Sequence, residues 1–133
     1  VKNHKQKKLY ICGHSLGGAM ATIATSRFEE VVPVEQLTTF GSPRVGTRKF
    51  VKNISTPHRR YVNNNDIVTK VPLFIMGYKH HGKRQYINFH GNIRKLTPWQ
   101  MVKDRWRGYK SGVLDGALDH GMHNYVKATS QVK

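Results

Sequence analysis

The amino-acid sequence predicts an α/β fold in which a mostly parallel sheet is flanked by helices. Two observations favour this class: short apolar runs alternate with a stretch of helical periodicity, and turn-forming residues follow the runs. The chain has 133 residues, of which 38% are apolar, which suits one compact domain or a piece of one. We therefore expect residues 1–133 to belong to a single, partial domain.

The first two elements are a strand and a helix joined at a glycine. Residues 9–12 predict a short buried strand, in which the lone cysteine, Cys12, is expected to be an inert core residue. Residues 16–28 carry apolar side chains at helical spacing. We expect this apolar stripe to pack on the sheet. Its members are Leu16, Ala19, Met20, Ile23 and Ala24.

The remaining elements follow turn and loop signals. Residues 37–40 predict a strand closed by Gly41-Ser42-Pro43, and residues 60–62 predict a strand followed by an Asn-rich loop. Residues 78–89 predict a further strand or a hairpin. Residues 98–108 and 120–128 predict helices. Strands that alternate with helices indicate a parallel sheet.

The charge balance is strongly basic, with 23 Lys and Arg against 7 Asp and Glu and a pI of about 10.4. A chain of this charge is attracted to an anionic membrane, nucleic acid or an acidic substrate. The alternative is that the basic residues form a solvated surface or face a partner segment of opposite charge. No nucleic-acid motif is present, so we expect no specific nucleic-acid partner. One cysteine and no H-E-x-x-H motif predict no metal site, and no other cofactor is expected.

The location and the oligomeric state stay open. No stretch is long enough to span a membrane and no secretory leader is visible, but the sequence begins at Val1 rather than Met.

The strongest motif is Gly13-His14-Ser15-Leu16-Gly17, which fits G-x-S-x-G. An apolar run precedes it and an amphipathic stretch follows it, as a strand–turn–helix nucleophile elbow requires. Such a turn exposes the Ser15 hydroxyl as a nucleophile. It also directs the backbone N–H of Leu16 toward the oxygen that becomes negative during acyl transfer. The alternative is a chance match in a glycine-bearing loop.

A serine nucleophile needs a histidine base and an orienting carboxylate, which in this type of fold follow it in the order Ser, acid, His. Asp66 comes just after the predicted strand 60–62, so we expect it to be the acid, although a loop aspartate can also form an Asx-turn. Asp104 lies in the predicted helix 98–108 and is expected on the protein surface. The last histidines, His120 and His123, are the candidates for the base, and we favour His120. His80, His81 and His90 are expected at strand ends or on the surface.

These residues resemble the class 3 lipases, the fungal-type triacylglycerol lipases and their relatives. The resemblance rests on four blocks, at residues 13–19, 39–46, 61–72 and 119–125. It implies a partial α/β-hydrolase fold with Ser15, Asp66 and His120 as the triad. It also implies that His81-Gly82 and Tyr86 belong to a structural strand near the substrate side.

The sequence departs from the family before the elbow. The first strands, the lid and the second oxyanion donor of the family precede the elbow and are not in this sequence. We therefore expect the N-terminal strands to be absent and the elbow strand to be an exposed sheet edge. Loss of one oxyanion donor would slow acyl transfer by about 10²–10³-fold.

The resemblance and the charge lead to two functional hypotheses. The first is a serine carboxylic-ester hydrolase that acts on acylglycerol-type lipids through an acyl-enzyme. It would act at a membrane or lipid interface, and the basic surface would favour an anionic one. The alternative is a truncated remnant, weak or inactive in catalysis, that binds anionic membrane or nucleic acid through its basic surface.

Overall fold

The computed structural model describes residues 8–63, 66–88, 93–94, 97, 99–100 and 120–130. Within these residues the strands form one sheet in the order β1-β2-β3-β4-β5. The strands are β1 Leu9–His14, β2 Val34–Phe40, β3 His58–Asn63, β4 Lys83–Ile87 and β5 Ile93–Arg94. The helices are α1 Leu16–Phe28, α2 Arg48–Lys52 and α3 Met122–Ser130. The first four strands are parallel and β5 is antiparallel to β4, which confirms the predicted fold class.

The predicted elements are found with shifted ends. β2 and β3 begin earlier than the apolar runs that predicted them, and β1 continues to His14. The segment predicted as a strand or hairpin contains β4, which pairs with β5. The predicted helix 98–108 lies outside the described residues except at 99–100, which are helical. No described helix combines the length and the apolar character needed to cross a lipid bilayer.

The elbow strand β1 lies at the edge of the described sheet, where it pairs only with β2. Its side chains alternate, as strand geometry requires, and Tyr10 and Cys12 share the outward side. Tyr10 is 60% exposed and Cys12 is exposed too. The prediction of a buried strand with a core cysteine is therefore wrong, because an apolar run does not reveal whether neighbouring structure covers both faces.

Helix α1 packs on the sheet through its small residues. The buried positions are Gly18, Ala19, Ala21, Thr22 and Thr25. The bulky members of the predicted stripe point the other way, since Leu16 is 68% and Met20 is 62% exposed. The prediction that this stripe faces the sheet is right for Ala19 but wrong for Leu16, Met20 and Ile23, because the helix approaches the sheet closely. A Cβ on Gly18 would lie only 2.8 Å from the Cβ of Ser42.

A compact apolar cluster forms where α3 meets the sheet. Ile87 of β4 packs with Tyr125 and Ala128 of α3, and all three are at most 2% exposed. Phe40 and Tyr61 pack against this cluster as a stacked pair whose ring centroids are 5.2 Å apart. This contact holds the start of α3 near the carboxyl ends of β1, β2 and β3, where parallel sheets assemble their sites.

Candidate active site

A strained turn joins β1 to α1. Ser15 stands between His14, the last residue of β1, and Leu16, the first residue of α1. It has φ 57° and ψ −130°, and among the described residues it is the one non-glycine with positive φ. Such backbone costs on the order of 1–3 kcal/mol and persists only where the surroundings enforce it. One such restraint is the Ser15 N–H, which donates to the carbonyl of Phe40 at 3.0 Å.

The glycines of the motif have different roles in this turn. A Cβ on Gly13 would lie 2.8 Å from the nitrogen of Gly18, and closer still to the carbonyl of Gly17. A Cβ on Gly17 would meet nothing within 4 Å. The tight approach of strand and helix therefore depends on Gly13 and Gly18, whereas the space around Gly17 is open.

The structure brings together the three side chains that the sequence singled out. Nε2 of His120 lies 2.7 Å from Oγ of Ser15, across 105 positions of the chain. Nδ1 of His120 lies 3.1 and 3.0 Å from the two carboxylate oxygens of Asp66. With its proton on Nδ1, the imidazole donates to Asp66 and leaves Nε2 to accept from the Ser15 hydroxyl. Asp66 is fully buried, while the side chain of His120 is 21% exposed.

Several donors hold the Asp66 carboxylate. The backbone N–H of Val68 donates to Oδ1 at 2.9 Å, and the hydroxyl of Tyr125 donates to Oδ2. Tyr125 in turn accepts a hydrogen bond from the N–H of Asn63 at 3.0 Å. Tyr125 is 0% exposed and so links α3 to the end of β3 at this carboxylate. Asp66 also forms the local turn that was its alternative interpretation, because the Val68 N–H bonds its side chain, and this turn is compatible with its contact to His120.

A glycine turn after β2 leaves room for these groups. Gly41 has φ 57° and its N–H donates to the carbonyl of Tyr61 at 3.1 Å. A Cβ at this position would lie 2.7 Å from Oδ2 of Asp66 and 3.1 Å from Nδ1 of His120. The Gly41-Ser42-Pro43 turn therefore does more than end β2, because a side chain at position 41 would displace Asp66 and His120.

Two contacts of this site were not predicted. Nε2 of His14 donates to the carbonyl of His120 at 2.8 Å, and the hydroxyl of Tyr125 binds Asp66. A signal for Tyr125 was available, since a buried tyrosine needs a partner for its hydroxyl. No comparable signal identifies His14, because its partner is a backbone atom that lies 106 positions away.

The candidate oxyanion donor, the N–H of Leu16, lies beside Ser15. Leu16 is the first residue of α1, and the helix begins its hydrogen bonding with Gly18, whose N–H donates to the carbonyl of Ser15 at 2.9 Å. The first N–H groups of a helix have no partner within the helix, and the helix dipole favours negative charge there. The N–H of Leu16 is therefore suited to an oxygen anion formed next to Ser15.

Of the other histidines considered for the base, the structure describes His80, His81 and His123. His80 and His81 are half-buried just before β4, and His123 is exposed on α3. His90 lies outside the described residues. Within the described part of the chain, no group of three or more His, Cys, Asp or Glu side chains could hold a metal ion.

A second polar cluster surrounds His58, the first residue of β3, which is 6% exposed. Its Nε2 is 2.8 Å from the hydroxyl of Thr39, and its Nδ1 is 3.1 Å from Nδ1 of His81. Burial, together with the nearby His81 and Arg60, lowers the pKa of His58 from 6.5 to about 3. Burial and Arg60 likewise lower the pKa of His80 to about 4. These histidines are therefore neutral in the folded protein at neutral pH.

Comparison with known proteins identifies the family. A sequence model of the family described as lipase (class 3) matches residues 1–76. The chain belongs to this family. The class 3 lipase chain is 35% identical over 100 residues to secreted mono- and diacylglycerol lipase A of Penicillium cyclopium, covering 73% of this chain and 33% of that lipase. It is 49% identical over 72 residues to the toxin TseL of Vibrio cholerae, covering 52% of this chain and 11% of the toxin.

Solved lipase structures agree with the fold. A crystal structure of a mutant of the Penicillium cyclopium lipase superposes with a TM-score of 0.61 at 33% identity, covering 74% of this chain and 37% of that one. Lipase II from Rhizopus niveus superposes with a TM-score of 0.60 at 33% identity, covering 65% of this chain and 36% of that one. The fold is therefore that of the α/β-hydrolase lipases, and this class 3 lipase chain spans about a third or less of the length of these relatives.

Proposed function

We propose that this chain carries the catalytic side chains of a serine carboxylic-ester hydrolase that acts on acylglycerol-type lipids. The observation that carries the proposal is the hydrogen-bonded series from Oγ of Ser15 through His120 to the buried Asp66. A serine hydroxyl is a weak nucleophile at neutral pH, and this arrangement supplies the base and the orienting carboxylate that activate it.

The proposed reaction has two steps. Oγ of Ser15 attacks the ester carbonyl while Nε2 of His120 takes the hydroxyl proton, and the N–H of Leu16 stabilises the oxygen anion that forms. The tetrahedral intermediate collapses as His120 returns the proton to the departing alcohol, which leaves an acyl-enzyme on Ser15. Water, deprotonated by His120, then attacks the acyl-enzyme, and His120 returns this proton to Oγ of Ser15 as the carboxylic acid is released.

The substrate class is proposed from the relatives. The Penicillium cyclopium protein is named a mono- and diacylglycerol lipase, and another relative, from Ricinus communis, is named a triacylglycerol lipase. The formal net charge of +16 would favour presentation of the ester at an anionic lipid interface. We therefore propose acylglycerols at a lipid surface as the substrates.

Covalent labelling tests the proposal directly. The protein is incubated with a fluorophosphonate, and the modified residue is mapped by mass spectrometry. We expect a single adduct on Ser15, and no adduct in the Ser15→Ala variant. His120→Ala should reduce both labelling and ester hydrolysis by about 10⁴-fold or more, because the base is lost. A folded protein that leaves Ser15 unlabelled would contradict the proposal and favour the catalytically inactive alternative.

A further inference from the structure

Two hydrogen bonds join His80 to the backbone of Asp66. Nε2 of His80 donates to the carbonyl of Thr69 at 2.8 Å, and the hydroxyl of Thr69 donates to the carbonyl of Asp66 at 2.9 Å. Thr69 is 6% exposed and Asp66 is fully buried, so water competes little for these contacts. The proposed reaction gives His80 no role, although these bonds lead from it to the proposed acid.

The turn at residues 66–70, here called the acid turn, sets the direction of the Asp66 carboxylate. The N–H of Val68 donates to its Oδ1 at 2.9 Å, while the hydroxyl of Thr69 closes the turn on the Asp66 backbone. Oδ2 of the same carboxylate lies 3.0 Å from Nδ1 of His120. A rotation of the acid turn would therefore move the carboxylate relative to His120.

The chain is anchored on both sides of His80. Before it, the N–H of Lys79 donates to the carbonyl of Gly46 at 2.7 Å. After it, Nδ1 of His81 lies 3.1 Å from Nδ1 of the buried His58. His80 therefore holds the acid turn from a segment that is itself tied to two other parts of the fold.

His80 holds the Thr69 carbonyl as a neutral donor. Burial, together with Arg60, Arg44 and Arg84, lowers its pKa to about 4, although the bond to the Thr69 carbonyl acts in the opposite direction. A neutral imidazole carries one N–H, and a carbonyl can only accept, so this proton is on Nε2. A neutral side-chain amide could supply the same donor, whereas an aliphatic side chain could not.

A second group holds the chain just after Thr69. The guanidinium of Arg44 donates to the carbonyls of Lys70 and Pro72. These contacts restrain the end of the acid turn and the residues beyond it. The His80 contact differs from them because it is made at the residue whose side chain bonds Asp66.

We propose that His80 is a positioning residue for the candidate active site, because it fixes the acid turn that directs the Asp66 carboxylate to His120. It acts through Thr69 rather than on a reacting atom. The inference rests on the proposed function only in its effect on ester hydrolysis. The contact between Asp66 and His120 exists without substrate and can be measured separately.

The test compares four variants with the parent protein. His80→Leu removes the donor at similar volume, whereas His80→Gln keeps a neutral donor. Thr69→Val removes the hydroxyl that bonds Asp66 and tests the same connection if His80→Leu does not fold. His81→Leu is the matched control, since this adjacent half-buried histidine contacts His58 rather than the acid turn. Circular dichroism and thermal melting establish which variants are folded.

The first measurement follows the proton on Nδ1 of His120, which lies between the ring and the Asp66 carboxylate, by proton NMR. Its resonance is assigned by its loss in His120→Gln. We expect this proton to exchange with water about 5- to 10-fold faster in His80→Leu and Thr69→Val, and as in the parent in His80→Gln and His81→Leu. Unchanged exchange in folded His80→Leu and Thr69→Val would overturn the proposal. Equally fast exchange in His81→Leu would overturn it too, because the effect would then be a general loosening.

Hydrolysis of a water-soluble short-chain ester separates this inference from the proposed function. We expect His80→Leu to lower kcat by about 5- to 10-fold with little change in KM, and His80→Gln to recover most of the loss. An active parent whose kcat is unchanged by His80→Leu would overturn the positioning role. If the parent hydrolyses no ester but proton exchange at His120 responds as expected, His80 still positions Asp66 and the proposed function fails.

Discussion

The imidazole rings of His14 and His120 stack on each other, with their centroids 4.8 Å apart and their planes 28° from parallel. His14 also donates from Nε2 to the carbonyl of His120, so one elbow residue restrains both the ring and the backbone of the proposed base. Because His14 is adjacent to Ser15, this contact ties the base to the turn that carries the proposed nucleophile.

Replacing His14 should therefore lower turnover through the position of His120. The hydrogen bond and the ring contact are together worth about 1–2 kcal/mol, so we expect His14→Ala to lower kcat by about 10-fold with little change in KM. His14→Gln, which can still donate, should recover part of the loss. The control is His123→Ala on the exposed face of α3, and the two variants are compared by steady-state kinetics on a soluble ester. An equal effect of both would argue against a positioning role.

A side chain at Gly41 should disturb the proposed acid and base directly. Gly41→Ala introduces a Cβ against Oδ2 of Asp66 and Nδ1 of His120, and a displacement of about 1 Å can cost about 10²-fold in rate. Gly77→Ala is the matched control, since Gly77 also has positive φ, at 80°, but a Cβ there meets nothing within 4 Å. Both variants should lose some stability through backbone strain, as measured by thermal melting. Activity should be lost in the Gly41 variant alone, and similar activity losses in both would point to strain as the cause.

Removing the hydroxyl of Tyr125 should destabilise the protein. Tyr125→Phe takes a donor from the buried Asp66 carboxylate and an acceptor from the N–H of Asn63. Losing both hydrogen bonds at buried groups costs about 1–3 kcal/mol of unfolding free energy, which urea denaturation measures. Tyr10→Phe, at a side chain that is 60% exposed, should leave the urea midpoint unchanged. An unchanged midpoint for Tyr125→Phe would show that other donors compensate.

The protein should lose stability on mild acidification. The pKa values of His58 and His80 are about 3 and 4 in the folded protein, against 6.5 when unperturbed, so the unfolded chain takes up protons first as the pH falls. Their contribution is therefore fully present above pH 6.5 and declines as the pH falls toward the folded values. Each histidine lowers the unfolding free energy by up to about 1.4 kcal/mol per pH unit in this window.

Urea midpoints between about pH 7 and pH 5 measure this effect while most carboxylates remain ionised. His58→Gln should reduce the pH dependence, whereas His123→Gln, at an exposed position, should not. A stability that stays constant across this interval would contradict the burial of the His58 cluster.

The order of elements and the elbow could be predicted because their signals are local. A strand, a glycine, a serine and a helix adjacent in the sequence leave little choice of geometry at Ser15. Chain order favoured Asp66 as the acid and left His120 and His123 as candidates for the base, and the family resemblance implies His120. The structure brings these three side chains within hydrogen-bonding distance.

The burial of individual faces could not be predicted. The spacing of apolar residues in α1 predicts a helix but does not reveal which of its faces packs on the sheet. The buried face is the one that carries the small residues. Cys12 was expected in the core and is exposed, because burial of an edge strand depends on what lies beside it. The contacts of His14 and Tyr125 depend on backbone atoms far away in the chain, which no local pattern records.

The sequence by itself determined the fold class, the family and the three side chains expected at the candidate site. These depend on local motifs and on the order of elements along the chain, both of which can be read from the sequence. The tertiary structure alone decided which faces are buried and how His14 and Tyr125 restrain His120 and Asp66. These features arise from contacts between residues up to 106 positions apart, and such contacts form only when the sheet and α3 are packed together.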